Sequence, residues 1–231
     1  MARAVPYIGG IIQGGIADYF TERRWERVDK FFKMLTAKIS ELEIDIAETN
    51  KKNKMLEEKI TAFDKEYVKS EEFIDFFLSI VDQFTRTNEE IRYEFLVGIV
   101  ISSMKGPDKN LERDFFMRKI SEFSIIHLEL LRFYQNPKTA YRSKGLSLNN
   151  IHSLTLKNLV KEYFSDINED LWKAAHDALY NAGFLGQETH NFGPFTASSG
   201  LTRAYGMLTP LGKRFIDSCI PYRDINETEE S

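Results

Sequence analysis

Four histidines and one cysteine are the side chains of this 231-residue sequence best suited to catalysis or metal binding. His127, His152, His176 and His190 never stand three or four residues apart, so no H-x-x-x-H or H-E-x-x-H pairing puts two imidazoles on one helix face. Cys219 is alone, which excludes an internal disulfide and a Cys-rich zinc site and fits a reducing cytoplasm. Beside Ile216 and Ile220 it reads as a core residue. No G-x-S-x-G, P-loop or Rossmann glycine pattern occurs. The expectation is therefore a non-enzyme with no catalytic residue, cofactor or metal. Arg142 and Lys144, with Tyr141 on an expected loop, and Arg203 further on are the candidates for contact with a phosphate backbone.

Composition limits the partners. With 42% hydrophobic and 29% charged residues the chain belongs with folded soluble proteins. A net charge of -4 and a pI near 5.7 give no global attraction to nucleic acid or anionic lipid. The segment AVPYIGGIIQGGIADYF lacks an A-x-A-like cleavage site, carries only Arg3 before it, and falls short of the ~20 apolar residues of a span. Gly10 and Gly14 have a GxxxG spacing, yet each glycine costs a helix ~1 kcal/mol against Ala, so a helix there needs a surface to form on. That surface is either the chain's own body or a membrane. For the membrane, Tyr7, Ile8, Ile11, Ile12 and Ile16 are the contact candidates, and Trp25, set among Arg23, Arg24 and Arg27, is the interfacial anchor.

These residues must be positioned by helices. From Val28 on, alternating steps of four and three give a heptad column. Phe32, Ile39, Ile46, Asn53, Ile60 and Tyr67 take position a; Val28, Leu35, Leu42, Thr49, Leu56 and Phe63 take d. Ile at a with Leu at d favours a parallel two-stranded coil, in which Lys38 meets Glu43, Lys52 meets Glu57 and Lys59 meets Asp64 across the seam. A lone Asn53 at a fixes register and two-strandedness at a cost in stability. Leu35, Ile39, Leu42, Ile46, Asn53, Leu56 and Ile60 are the expected dimerisation residues of a homodimer or higher homo-oligomer. The competing reading packs this helix against the apolar helices that follow it.

Those helices carry clear boundary signals. Ser70 caps the first, with Phe73, Phe76, Phe77, Ile80, Val81 and Phe84 as its apolar stripe, and Thr87 with Glu90 spells a capping box for the second. FLVGIVISSM is too short to span a bilayer and reads as a core helix ended by Gly106-Pro107. A helix pair around Leu111 to Ile120 and Ile125 to Tyr134 follows. The fold class expected is mainly α: a helical domain with a long heptad, coiled-coil helix, then a C-terminal winged-helix-like domain. The domain boundaries are 1–27 for the Gly-rich segment, 28–69 for the heptad helix and 70–136 for the helical core. A linker or loop over 137–153, the winged-helix-like domain over 154–220 and a polar tail over 221–231 complete the chain.

In the last third, LTLKNLVKEYF and INEDLWKAAHDALYNAGFL read as two helices, the second capped by Asn168 and stopped by Gly183. Thr209-Pro210 starts a final helix, and two short strands are expected between. Groove reading of DNA by the second helix is opposed by Asp166, Glu169 and Asp170 at its N-terminus, so packing or a protein partner is preferred.

The Gly-rich apolar start, the Ser121 to Ser124 run leading into IIHLELL, and above all GMLTPLGKRFIDSC resemble the Abi-alpha family of bacterial abortive-infection-type proteins over the last third. That resemblance implies a role in prokaryotic phage defence, in the cytoplasm or at the inner face of the membrane, and carries no catalytic residues across. The function expected is a non-enzymatic interaction protein of a prokaryote or its mobile elements, dimerising through a parallel coiled coil. A dimeric winged-helix DNA-binding regulator and a membrane-acting effector using the N-terminal segment are the alternatives.

Overall fold

The structure, a computed structural model, describes residues 26–40, 64, 66–87, 89–106, 110–149, 151–192 and 200–220. It is mainly helical, and its chain divides into two compact units, one of residues up to Ser121 together with those from Ser218 on, the other Glu122–Asp217. The division falls within a helix rather than at the expected linker over 137–153.

Aromatic residues organise the first unit. Residues 26–40 are helical (α1), and Val28, Phe31, Leu35 and Ile39 are buried along one stripe. The second long helix, α2 (Glu71–Arg86), starts where Ser70 Oγ accepts the Phe73 N–H at 3.2 Å. Its stripe from Phe73 to Phe84 is buried as the spacing predicts. Phe31 packs on it, 4.8 Å from the Phe84 ring and 5.9 Å from Phe77.

The heptad column is corrected at its start. Leu35 and Ile39, expected at a seam between copies, are 1% and 0% exposed inside a single chain. The buried set also includes Phe31, whereas Phe32 at position a is only half-buried, so the helix presents a 3.6-residue face to its own neighbours. Leu42, Ile46, Asn53, Leu56 and Ile60 lie outside the described residues. Tyr67, the last a position, sits in a 3-10 turn, Tyr67–Lys69. Ring contacts of no more than 6.3 Å lead from it through Phe73 and Phe77 to Phe31. The turn is fixed by Asp64, whose Oδ1 accepts the N–H groups of Glu66 and Tyr67 at 3.1 and 3.0 Å. The buried Arg113 guanidinium lies 4.2 Å over the Phe76 ring and donates to the Tyr67 hydroxyl at 2.5 Å, while Asp114 at 3.1 Å and Glu72 at 3.8 Å compensate its charge.

The third helix, α3 (Glu90–Ser103), is buried on every side from Phe95 to Ile101. Its expected capping box is absent: Glu89 is the N-cap, and Thr87 Oγ1 instead accepts the Glu89 N–H at 3.3 Å. The Tyr93 hydroxyl donates to the Thr87 carbonyl at 2.7 Å, which holds that residue out of the helix. At Gly98 the helix touches the Cys219 backbone so closely that a Cβ would lie 1.5 Å from the Cys219 carbonyl oxygen. The next helix, α4 (Asn110–Glu122), is tied to the start of α3 by Arg92, which pairs with Glu89 and donates to the Ile120 carbonyl.

The second unit contains α5 (Ile125–Gln135), α6 (Pro137–Ser143), α7 (Leu156–Tyr163), α8 (Glu169–Asn181), α9 (Gly200–Tyr205) and most of α10 (Pro210–Cys219). Two expectations fail here. Residues 137–143 are helix, not loop, because Asn136 accepts the Thr139 N–H at 3.1 Å and Pro137 occupies the first turn, where proline is tolerated. Tyr141, expected exposed, is fully buried and donates to the Leu159 carbonyl at 2.7 Å. The two strands shrink to one antiparallel bridge, Leu185 with Leu208, and no strand occurs among the described residues. Between the two residues of that bridge lies a helix, α9, whose buried Leu201 and Ala204 have helical spacing. The signals at Asn168, Gly183 (φ 81°) and Thr209-Pro210 fall where expected.

Candidate functional site

Charge gathers in the second unit where α7 and α8 present their first turns. Thr155 Oγ1 accepts the Asn158 N–H at 3.2 Å and caps α7, and Asn168 Oδ1 accepts the Asp170 N–H at 2.8 Å and caps α8. On α7, Lys157 and Lys161 are one turn apart; on α8, Glu169 and Lys173 are one turn apart. All three ammonium groups converge on the Glu169 carboxylate, Lys157 at 3.5 Å, Lys161 at 3.3 Å and Lys173 at 2.7 Å. Hydrogen bonds from Lys173 and then Lys161 bring the Glu169 pKa down to about 2, and Glu169 in turn raises that of Lys173. Asp170 and Asp177 also act on Lys173, so three acids stand with the three lysines and the cluster is close to balanced in charge.

A groove of about 530 Å³ opens beside it, lined by Thr155, Lys157, Trp172, Lys173, Thr189, His190 and Phe192. Its far wall is a 3-10 turn, Thr189–Asn191, held because the Thr189 N–H and hydroxyl donate to Asp177 at 2.8 and 2.9 Å. Burial pushes the Asp177 pKa up, but the bonds from Thr189 outweigh it and the net shift is downward. His190 Nδ1 stands 2.7 Å from a Glu188 oxygen.

Behind the Phe192 wall lies His176, fully buried on α8. Its ring meets Phe192 and Tyr134 edge to face, at 4.9 and 5.6 Å. Nδ1 is 3.5 Å from Asp177 Oδ1, too long for a hydrogen bond, and neither ring nitrogen nor the Tyr134 hydroxyl has a hydrogen-bond partner in the protein. Burial lowers the His176 pKa to about 4 against the partial opposition of Asp177.

The sequence candidates lie elsewhere. Lys144 Nζ donates to the Tyr163 carbonyl at 2.9 Å and sits 4.3 Å over its ring, Arg203 donates to Gln187 at 3.2 Å, and Arg142 is at the exposed end of α6. None of the three lines the groove. Tyr7, Ile8, Ile11, Ile12, Ile16 and Trp25 lie outside the described residues. Among the described residues no helix is long and apolar enough to cross a membrane, and no group of three His, Cys, Asp or Glu is placed to hold a metal ion. The lysine cluster was missed by weighing Asp166, Glu169 and Asp170 only as helix-start acids, although two i, i+4 spacings carried its signal. No protein-family model, curated protein or solved structure matches the chain.

Proposed function

We propose that the chain is a non-enzymatic interaction protein of a prokaryote or its mobile elements, acting in the cytoplasm in a phage-defence response of the abortive-infection type. Two copies pair through the segment from Leu42 to Ile60, and the second unit serves as the recognition module. The observation that carries this reading is the polar Asn53 within an otherwise Ile- and Leu-rich a and d column, flanked by complementary charges. The burial of Val28, Leu35 and Ile39 supports a division of labour, in which the start of the column anchors α1 and the part beyond it is left for pairing. The helix pair α7 and α8, the bridge and α10 support a winged-helix-like description of the second unit. The defence role rests on the resemblance of the last third alone.

Size-exclusion chromatography with light scattering tests the pairing. The wild type is expected to be a dimer and Asn53→Ile a mixture of dimer and larger species; a monomer in both overturns the reading. A DNA-binding reading draws its support from Lys157 and Lys161 on α7 and Lys173 on α8, which gather on one side of the second unit, with Glu169 and Asp170 among them counting against it. Duplex affinity that falls steeply with salt would favour it.

A further inference from the structure

We propose that His127 is a proton-operated cap of α5: neutral, its ring closes the first turn of the helix, and protonated, it lets that turn open. The device acts within the second unit and does not depend on whether two copies pair.

The geometry sets the protonation state of the ring. The chain enters α5 through Phe123 and Ser124, and His127, the third residue of the helix, turns back over that entry. Its Nδ1 lies 3.1 Å from the Ser124 backbone nitrogen and 2.7 Å from the Ser124 hydroxyl. A backbone N–H can only donate, so Nδ1 accepts, which puts the ring's proton on Nε2 and leaves the imidazole neutral. This is one half of a capping box, with imidazole in the place usually taken by Glu or Gln. Unlike Gln, imidazole can lose its acceptor near neutral pH. A proton on Nδ1 occupies the lone pair that Ser124 uses. The hydroxyl can turn round and accept from it, but the Ser124 N–H is left facing another N–H. The new charge also stands at the positive end of the α5 dipole.

The surroundings oppose the charged ring on balance. His127 is half-buried and stacks on Phe123, with ring centroids 5.3 Å apart, and Phe123 meets Phe184 and Phe215 edge to face at 5.3 and 6.1 Å. An aromatic face attracts a cation, yet burial outweighs this and holds the His127 pKa below its ordinary value. Glu122 and Glu129 flank the ring along its own chain, and Lys213 and Arg214 neighbour Phe215 on α10; none of the four acts on it. Because the folded pKa lies below the unfolded one, the cap is complete above pH 6.5 and is lost as the pH falls through the folded value. The half-exposed ring takes its proton from solvent directly, a route closed to the fully buried His176.

Two-dimensional NMR on the full chain, carried from neutral to mildly acid pH, tests this on the His127 ring protons and the amides of Ser124 and Leu128. Leu128 donates the first backbone bond of the helix to the Ser124 carbonyl at 3.3 Å. His127 is expected to titrate with a midpoint below 6.5, and the Ser124 amide shift to follow the same curve. Exchange protection at Leu128, corrected for the intrinsic effect of pH, is expected to fall about fivefold over that curve, as the loss of one cap does. His127→Gln keeps an acceptor that does not titrate, so both amides are expected to become indifferent to pH. His176→Leu is expected to leave the response in place, which separates it from the acid sensitivity of that residue. If His127→Gln fails to fold, the wild-type curves decide alone. The proposal is overturned if His127 titrates at or above 6.5, if the Ser124 amide does not follow it, or if a folded His127→Gln retains the response.

Discussion

Helices α3 and α8 are nearly the same length and sit in different units, yet they are used in opposite ways. Nearly every side of α3 is covered by apolar neighbours, and it approaches one of them backbone to backbone at Gly98. α8 buries Trp172, Ala175, His176 and Leu179 along one stripe and turns Glu169 and Lys173 toward solvent and the groove. A helix surrounded on all sides has no surface left for chemistry and can only hold other elements in place. One with a single apolar face keeps the remainder free for charge, so α8 offers solvent a charged surface that α3 does not have.

The comparison can be broken at three points. Gly98→Ala should have the largest effect, because the added methyl collides with the Cys219 carbonyl and forces α3 away from it; a loss of about 3 kcal/mol or more is expected in urea unfolding. A variant within 0.5 kcal/mol of wild type would mean that the contact yields easily and that α3 is not rigidly enclosed.

His176 sets the next. Its folded pKa of about 4 lies below the ordinary value of 6.5, so the unfolded chain takes up the proton first as the solution is acidified. Stability is therefore full above about pH 6.5 and declines toward pH 4, by about 3 kcal/mol over that window. His176→Leu should flatten this part of the profile and be neutral or stabilising at pH 7, since it replaces two unbonded nitrogens with hydrocarbon. Thermal unfolding measured at several pH values reads both effects, and a variant that keeps the wild-type slope would assign the dependence to other groups.

The smallest expected effect is at the start of α8. Asn168→Ala removes the acceptor for the Asp170 N–H and should cost about 1 kcal/mol. It should do so without altering α3, so hydrogen exchange that quickened in both helices equally would erase the distinction between the two regions.

Much of this architecture could be read from local patterns. The Phe73 to Phe84 stripe, the caps at Ser70 and Asn168, the stop at Gly183 and the start at Thr209-Pro210 depend on neighbours in sequence, and the structure has them in place. What escaped depended on neighbours in space. Pro137 could be a breaker or a first-turn residue, and Asn136 turning its amide onto Thr139 decides for the second. The column at Leu35 and Ile39 has the right spacing for either a second copy or an internal helix, and the rings of Phe77 and Phe84 decide that α1 packs internally. The groove needed two separate i, i+4 pairs to be brought together, which no single stretch of sequence encodes.

Cys219 beneath Gly98 bears on how the protein is made. Translation delivers α3 early and its covering residue about 120 positions later, after every residue of the second unit has emerged. On the ribosome the later-coded unit is thus free to fold while α3, already met by α2, still lacks its cover at Gly98, the reverse of the usual N-terminal-first order. During that interval the strip of α3 around Gly98 is what a chaperone would have to shield.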